Sequence, residues 1–119
     1  MNRCIVVVED DRGISTMLTD LLKQQRFDVV AVTEPDFVDA VAAEANPDLF
    51  LIDVMLTGIS GIEVAQNLRE QGFTHTPMIG MSASKVMAKF AYESGAFDDT
   101  LEKPFEIAAL LDRIERYAA

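Results

Sequence analysis

Cysteine and histidine are almost absent: Cys4 and His75 are the only ones among 119 residues. That excludes a disulfide framework and any metal site built from clustered thiolates and imidazoles. A lone cysteine inside the apolar run Cys4–Val8 reads as a small buried hydrophobe and fits a reducing, cytoplasmic setting. Positive charge is scarce as well, with 10 Lys and Arg against 20 Asp and Glu and a formal net charge of −10. Such a chain repels a phosphate backbone, so no direct nucleic-acid contact is expected; DNA binding would belong to a segment outside these residues. Apolar runs such as Cys4–Val8 and Leu49–Ile52 stay far short of the ~20 residues needed to cross a bilayer, so no membrane span is expected. Arg3 alone precedes the first run and Glu9-Asp10-Asp11 follow at once, which is not the pattern of a signal peptide.

Half of the residues are hydrophobic and a quarter are charged, enough for one domain with a real core and no staples. Short apolar runs alternate five times with segments of helical period, uninterrupted by a linker, a repeat or a low-complexity stretch. Arg3–Val8 reads as a first strand buried on both faces. A helix over 11–25 follows, with Ile14, Met17, Leu18, Leu21 and Leu22 as its inner stripe. Phe27–Val32 is a second strand, and Thr33 with Pro35 and Asp36 predicts the capped start of a helix reaching Ala45. After Asn46-Pro47, residues 48–53 form a third strand. Ser60 with Glu63 predicts a capping box for a helix ending near Gly72; Pro77–Met81 is a fourth strand. Ser84 caps a fourth helix that turns Val86, Met87, Phe90 and Ala91 inward. Asp99–Glu102 is a short fifth strand, and Phe105–Tyr117 a last helix with Ile107, Leu110, Leu111, Ile114 and Tyr117 on its inner face. Five β/α units of this size favour an α/β, doubly wound parallel sheet of order 2-1-3-4-5 over a barrel, with ligands at the carboxyl ends of the strands.

Those ends carry the chemistry. The first strand stops at Glu9-Asp10-Asp11, the third at Asp53, the fourth at Ser82 and the fifth at Lys103-Pro104. Each has an ordinary explanation when taken singly: acids at a helix start, a turn aspartate, a capping serine, a surface lysine. Gathered at one rim they do not, because two carboxylates about 5 Å apart repel by roughly 3 kcal/mol at an effective dielectric of 20. An oxygen-only set of this kind suits Mg²⁺ or Mn²⁺ together with a phosphate oxygen. His75 lies in a loop without companions and is assigned no role. The six methionines are taken as gap-fillers of strand ends and helix faces.

Over essentially its whole length, residues 1–119, the chain resembles the receiver domain of two-component response regulators. The likeness rests on Val6-Val7-Val8-Glu9-Asp10-Asp11, Asp53-Val54-Met55-Leu56, Met81-Ser82-Ala83 and Lys103-Pro104-Phe105, in that order at the right strand ends. It implies that Asp53 accepts a phosphoryl group from a histidine kinase or a histidine phosphotransfer protein. It implies a Mg²⁺ ion, for which Mn²⁺ can substitute, held by Asp10 and Asp53 directly, by Glu9 largely through water, and by the backbone carbonyl of Met55. Ser82 and Lys103 then bind phosphoryl oxygens, and the face made by the fourth helix, fifth strand and fifth helix switches. A downstream protein or an attached output domain reads that face, and phosphorylation-dependent homodimers through it occur in the family.

The pattern departs from the family's usual one at two positions. Thr100 stands where a Tyr or Phe commonly swings with the loop, so either coupling is weaker here or another side chain such as Phe97 contributes. Thr57 stands where a proline often follows the phosphoacceptor loop. Other functions fit less well. An aspartate-nucleophile phosphatase of the haloacid-dehalogenase kind places its nucleophile after the first strand and adds a cap domain, for which 119 residues leave no room. A docking module independent of phosphorylation would normally have lost the acids or the lysine. A flavodoxin-like carrier would set Glu9-Asp10-Asp11 against a flavin phosphate.

Overall fold

In the computed structural model, which describes residues 2–118, every expected element is present. The strands are β1 (Cys4–Val8), β2 (Asp28–Val32), β3 (Leu49–Asp53), β4 (Met78–Ser82) and β5 (Asp99–Glu102). The helices are α1 (Arg12–Gln24), α2 (Val38–Ala45), α3 (Gly61–Gln71), α4 (Lys85–Glu93) and α5 (Ile107–Ala118). All strand pairs are parallel, in the order β2-β1-β3-β4-β5. The crossover from β1 to β3 opens the sheet at its carboxyl edge, where β1 and β3 run side by side with Val8 opposite Ile52.

Period-two alternation divides the central strands between two cores. Val6, Val8, Phe50 and Ile52 face one side with Ala42, Val64, Leu68 and Ala91; Ile5, Val7, Leu49 and Leu51 face the other with Leu18, Leu22, Leu110 and Ile114. Burying both faces is what lets these strands read as nearly continuous apolar runs. Asp53 follows the same alternation and ends β3 at the rim.

Several local expectations are corrected. The second helix begins with a 3₁₀ turn, Pro35–Phe37, and its cap position is Glu34, with no side-chain capping bond; Thr33 does not cap it. Val86 and Phe90 point outward on α4, which buries Ala88 and Ala91 instead. Small residues there bring the helix close to the sheet and leave the larger side chains outside. Met17 on α1 and Ile107 on α5 are exposed as well. Cys4 is half-buried, not enclosed, with its N–H donating to Asp48. Ser60 and Ser84 do cap α3 and α4, accepting from the amides of Ile62 and Met87.

One side chain unremarked in the sequence ties the α3–α4 side together. Arg69 donates to the carbonyls of Phe73, Thr74, Thr76 and Ala96 and pairs with Asp98 at 3.1 Å. Asp98 in turn accepts from the Met78 amide, so the C-terminal end of α4 is fastened to β4 through one guanidinium fork.

Candidate functional site

The strand ends bring four charged side chains to one point. Lys103, delivered by the end of β5, places Nζ 2.5 Å from Glu9 Oε1 and 3.0 Å from Asp53 Oδ2. The Lys103–Pro104 peptide is cis. Glu9, Asp10 and Asp53 each offer a carboxylate oxygen within 4.8 Å of the others'. Glu9 is fully buried, Asp53 nearly so, and Asp10 half-exposed.

Burial raises the Glu9 carboxyl to about 7, and its hydrogen-bonded neighbour Asp53 pushes the same way against the pull of Lys103. Burial works against the Lys103 ammonium, but the hydrogen bonds to Glu9 and Asp53 outweigh it and raise that pKa. Asp10 moves the other way: hydrogen bonding to Thr57 holds its carboxyl below the usual range. Three carboxylates thus face a single ammonium, and Glu9, the most deeply buried of them, is reluctant to ionise chiefly because it is desolvated.

The loop after β3 is shaped around this cluster. The Met55 amide donates to Asp53 Oδ1 at 3.0 Å, and the Thr57 amide to Asp10 Oδ2 at 2.7 Å. Gly61 begins α3 directly beneath: a Cβ there would lie 2.1 Å from the Asp53 carbonyl oxygen. Only glycine permits that approach. The sequence analysis missed Gly61; its position one residue after the Ser60 cap was the available signal.

Ser82 is fully buried at the end of β4, and among the described residues its hydroxyl is hydrogen-bonded to Ser84, with no bond to Asp53 or Lys103. It donates to the Ser84 carbonyl and accepts from the Ser84 amide, both at 3.1 Å. The Asp11 side chain caps α1, accepting from the Ile14 amide, while its own amide donates to Glu9 Oε2 at 3.5 Å. Phe97 is buried in the core beside Val54, with ring carbons 3.2–3.3 Å from where a Cβ on Gly80 would be, while Thr100 pairs with Gly80 on β5 and is half-exposed. His75 is exposed in the loop before β4.

A doubly wound sheet with an acidic pocket and a lysine at its carboxyl edge defines a signalling receiver, and the chain belongs to the response regulator receiver domain family, whose model matches residues 5–115. Receiver domains are signalling modules and not multiple-turnover enzymes. Over 114 residues the chain is 34% identical to the DNA-binding response regulator MtrA of Mycobacterium tuberculosis, covering 96% of this chain and 50% of that protein. The chain therefore spans about half the length of the curated relatives it matches. Among solved structures it is similar to the BeF₃-activated N-terminal receiver domain of Klebsiella pneumoniae RstA, with 30% identity, a TM-score of 0.88 and 98% of each chain covered. The fold is shared with the response regulator TrrA of Thermotoga maritima, solved in complex with Mg²⁺–BeF (23% identity, TM-score 0.87, 97% of this chain and 98% of that one).

The donor set fits a hard divalent cation. All three acidic groups offer oxygen, and they lie close enough together for one ion.

Proposed function

We propose that this domain is a phosphorylation-switched receiver that takes a phosphoryl group from a histidine kinase or a histidine phosphotransfer protein onto Asp53. The observation that carries this reading is the meeting of Glu9, Asp10, Asp53 and Lys103 at the end of the sheet. An Asp53 carboxylate oxygen attacks phosphorus, the P–N bond of the donor phosphohistidine breaks, and its electron pair returns to the imidazole, leaving an acyl phosphate. Phosphoryl transfer passes through a loose, charge-spread transition state, so positioning and neutralisation are what the protein supplies.

Asp10 and Asp53 would hold Mg²⁺ directly, Glu9 largely through water, and the Met55 carbonyl would complete the protein ligands; Mn²⁺ could take the same place. When bound, the cation supplies positive charge to the phosphoryl oxygens. Lys103 contributes a second positive charge, already aimed at Asp53. Ser82 exchanges its hydrogen bonds with Ser84 for one to a phosphoryl oxygen. Because Ser84 also caps α4, that exchange pulls on the helix start while Arg69 fastens its far end. The switch then emerges on the α4-β5-α5 face; Val86 and Phe90 of α4 and Ile107 of α5 are exposed. Those side chains offer apolar contact to a downstream protein, an attached output domain or a second phosphorylated copy.

No described helix is long and apolar enough to cross a membrane, and the excess of acid argues against direct nucleic-acid contact. We place the domain in the cytoplasm, with any DNA binding supplied by a separate output domain.

The test is the intact mass of the protein after exposure to a small acyl phosphate, with Mg²⁺ or with chelator, beside Asp53→Asn. One Mg²⁺-dependent phosphoryl adduct, lost in the variant with its fold retained, is expected. Labelling that persists in Asp53→Asn moves the acceptor elsewhere, and no adduct under any condition favours a docking module independent of phosphorylation.

A further inference from the structure

We propose that Thr57 is a positioning residue for the cation: its amide holds the Asp10 carboxylate in place and ties the loop carrying Met55 to the end of β1. The proposal rests on the receiver reading above and concerns a position at which this chain departs from the usual proline.

The Thr57 amide lies 2.7 Å from Asp10 Oδ2, at the short end for an N–H donor and in keeping with a charged acceptor. Forty-seven residues separate the two partners, so the bond joins two strand ends and is not a local turn. Two residues earlier in the same loop, the Met55 amide donates to Asp53 Oδ1. Alternate amides of a single loop therefore orient two carboxylates, each on a different strand. A proline at 57 has no N–H and could not complete the pair.

The bond orients Asp10 without competing for the cation. Asp10 Oδ2 retains a second lone pair, and among the described residues no hydrogen-bond donor reaches Oδ1. A carboxylate already held in one orientation gives up less freedom on ligation, and partners that orient ligands typically change metal affinity by about 10–100-fold. Because Thr57 is exposed, the lower end of that range applies.

Calorimetric titration of Mg²⁺ into the wild type, Thr57→Ser, Thr57→Val and Thr57→Pro tests this. Thr57→Ser and Thr57→Val keep the amide and should match the wild type; Thr57→Pro loses it and should bind about tenfold more weakly. Equal or tighter binding by a folded Thr57→Pro overturns the proposal while leaving the receiver reading intact. A wild type that binds no Mg²⁺ overturns the receiver reading and this assignment with it. The second readout needs no metal and decides the matter should Thr57→Pro not fold. In metal-free wild type the Thr57 amide proton resonance should lie downfield, as for an N–H bonded to a carboxylate, and move upfield in Asp10→Ala; a resonance unmoved by that substitution overturns the bond.

Discussion

Lys103 Nζ stands between Glu9 Oε1 at 2.5 Å and Asp53 Oδ2 at 3.0 Å, so one ammonium bridges the ends of β1 and β3 across the switch point of the sheet. The pair of contacts has an electrostatic cost and an electrostatic use. A single positive charge cannot neutralise three carboxylates, yet it is already aimed at the oxygen proposed to carry the phosphoryl group. The consequences reach metal binding, pH dependence and switching.

Removing Asp10 should weaken Mg²⁺ binding without unfolding the domain, since its side chain is half-exposed and no core contact depends on it. Calorimetry should show the affinity of Asp10→Ala reduced by at least about tenfold, the size of effect expected when one of few carboxylate ligands is lost. Equal affinity in the two proteins would refute the assignment of Asp10 as a ligand.

Stability of the metal-free protein should fall as pH rises from about 4.5 to about 7 through the contribution of Glu9. A carboxyl raised by folding binds more protons in the native than in the unfolded state within that window, so raising pH there favours unfolding. The loss is at most about 3 kcal/mol, because each pKa unit corresponds to about 1.4 kcal/mol and Lys103 shares the titration. Urea midpoints followed by circular dichroism, in chelator, at either end of the window and beside Glu9→Gln, would measure it. A decline of the same size in Glu9→Gln would assign the effect to other groups. Added Mg²⁺ should flatten the profile, since the cation favours the ionised carboxylate.

Gly61→Ala should destabilise the domain by about 2–4 kcal/mol and disturb the phosphoacceptor loop, because the new Cβ would lie 2.1 Å from the Asp53 carbonyl oxygen and 2.7 Å from Val54 Cα. Both obstacles are backbone and cannot rotate aside. Thermal unfolding with an unchanged midpoint would show that α3 starts further from β3 than described here.

Thr100→Tyr should strengthen the response of the α4 face to a phosphate mimic. Phe97 is buried against Val54 and Gly80, and the half-exposed Thr100 carries no ring. Backbone amide shifts over α4 with and without beryllofluoride provide the measurement. Shifts of equal size in the two proteins would show that Thr100 does not limit coupling.

Much of this protein follows from its sequence because the relevant signals are local. Apolar runs set by burial on both faces mark β1 and β3, the period of Leu18 and Leu22 marks α1, and Ser60 and Ser84 announce their helices. Sheet order followed from the number of β/α units and the handedness of their crossovers, and the acids and Lys103 were found because strand ends converge in such a sheet.

What only the tertiary structure decided are relationships between distant groups. The outward turn of Val86 and Phe90 depends on how closely α4 approaches the sheet, which periodicity cannot specify when the helix also carries Ala88 and Ala91. The hydroxyl of Ser82 could meet Asp53 or Ser84, and the choice rests on the path of the loop after β4. The joining of Thr57 to Asp10 and the reach of Arg69 to Ala96 use a backbone N–H and a backbone carbonyl that almost every residue carries, and the closeness of Gly61 to Asp53 shows only when α3 is seated against β3. Residue identity fixes which side chains are available, but the ångström-scale distances between elements come from the packing of two cores around one sheet, a property of the whole chain.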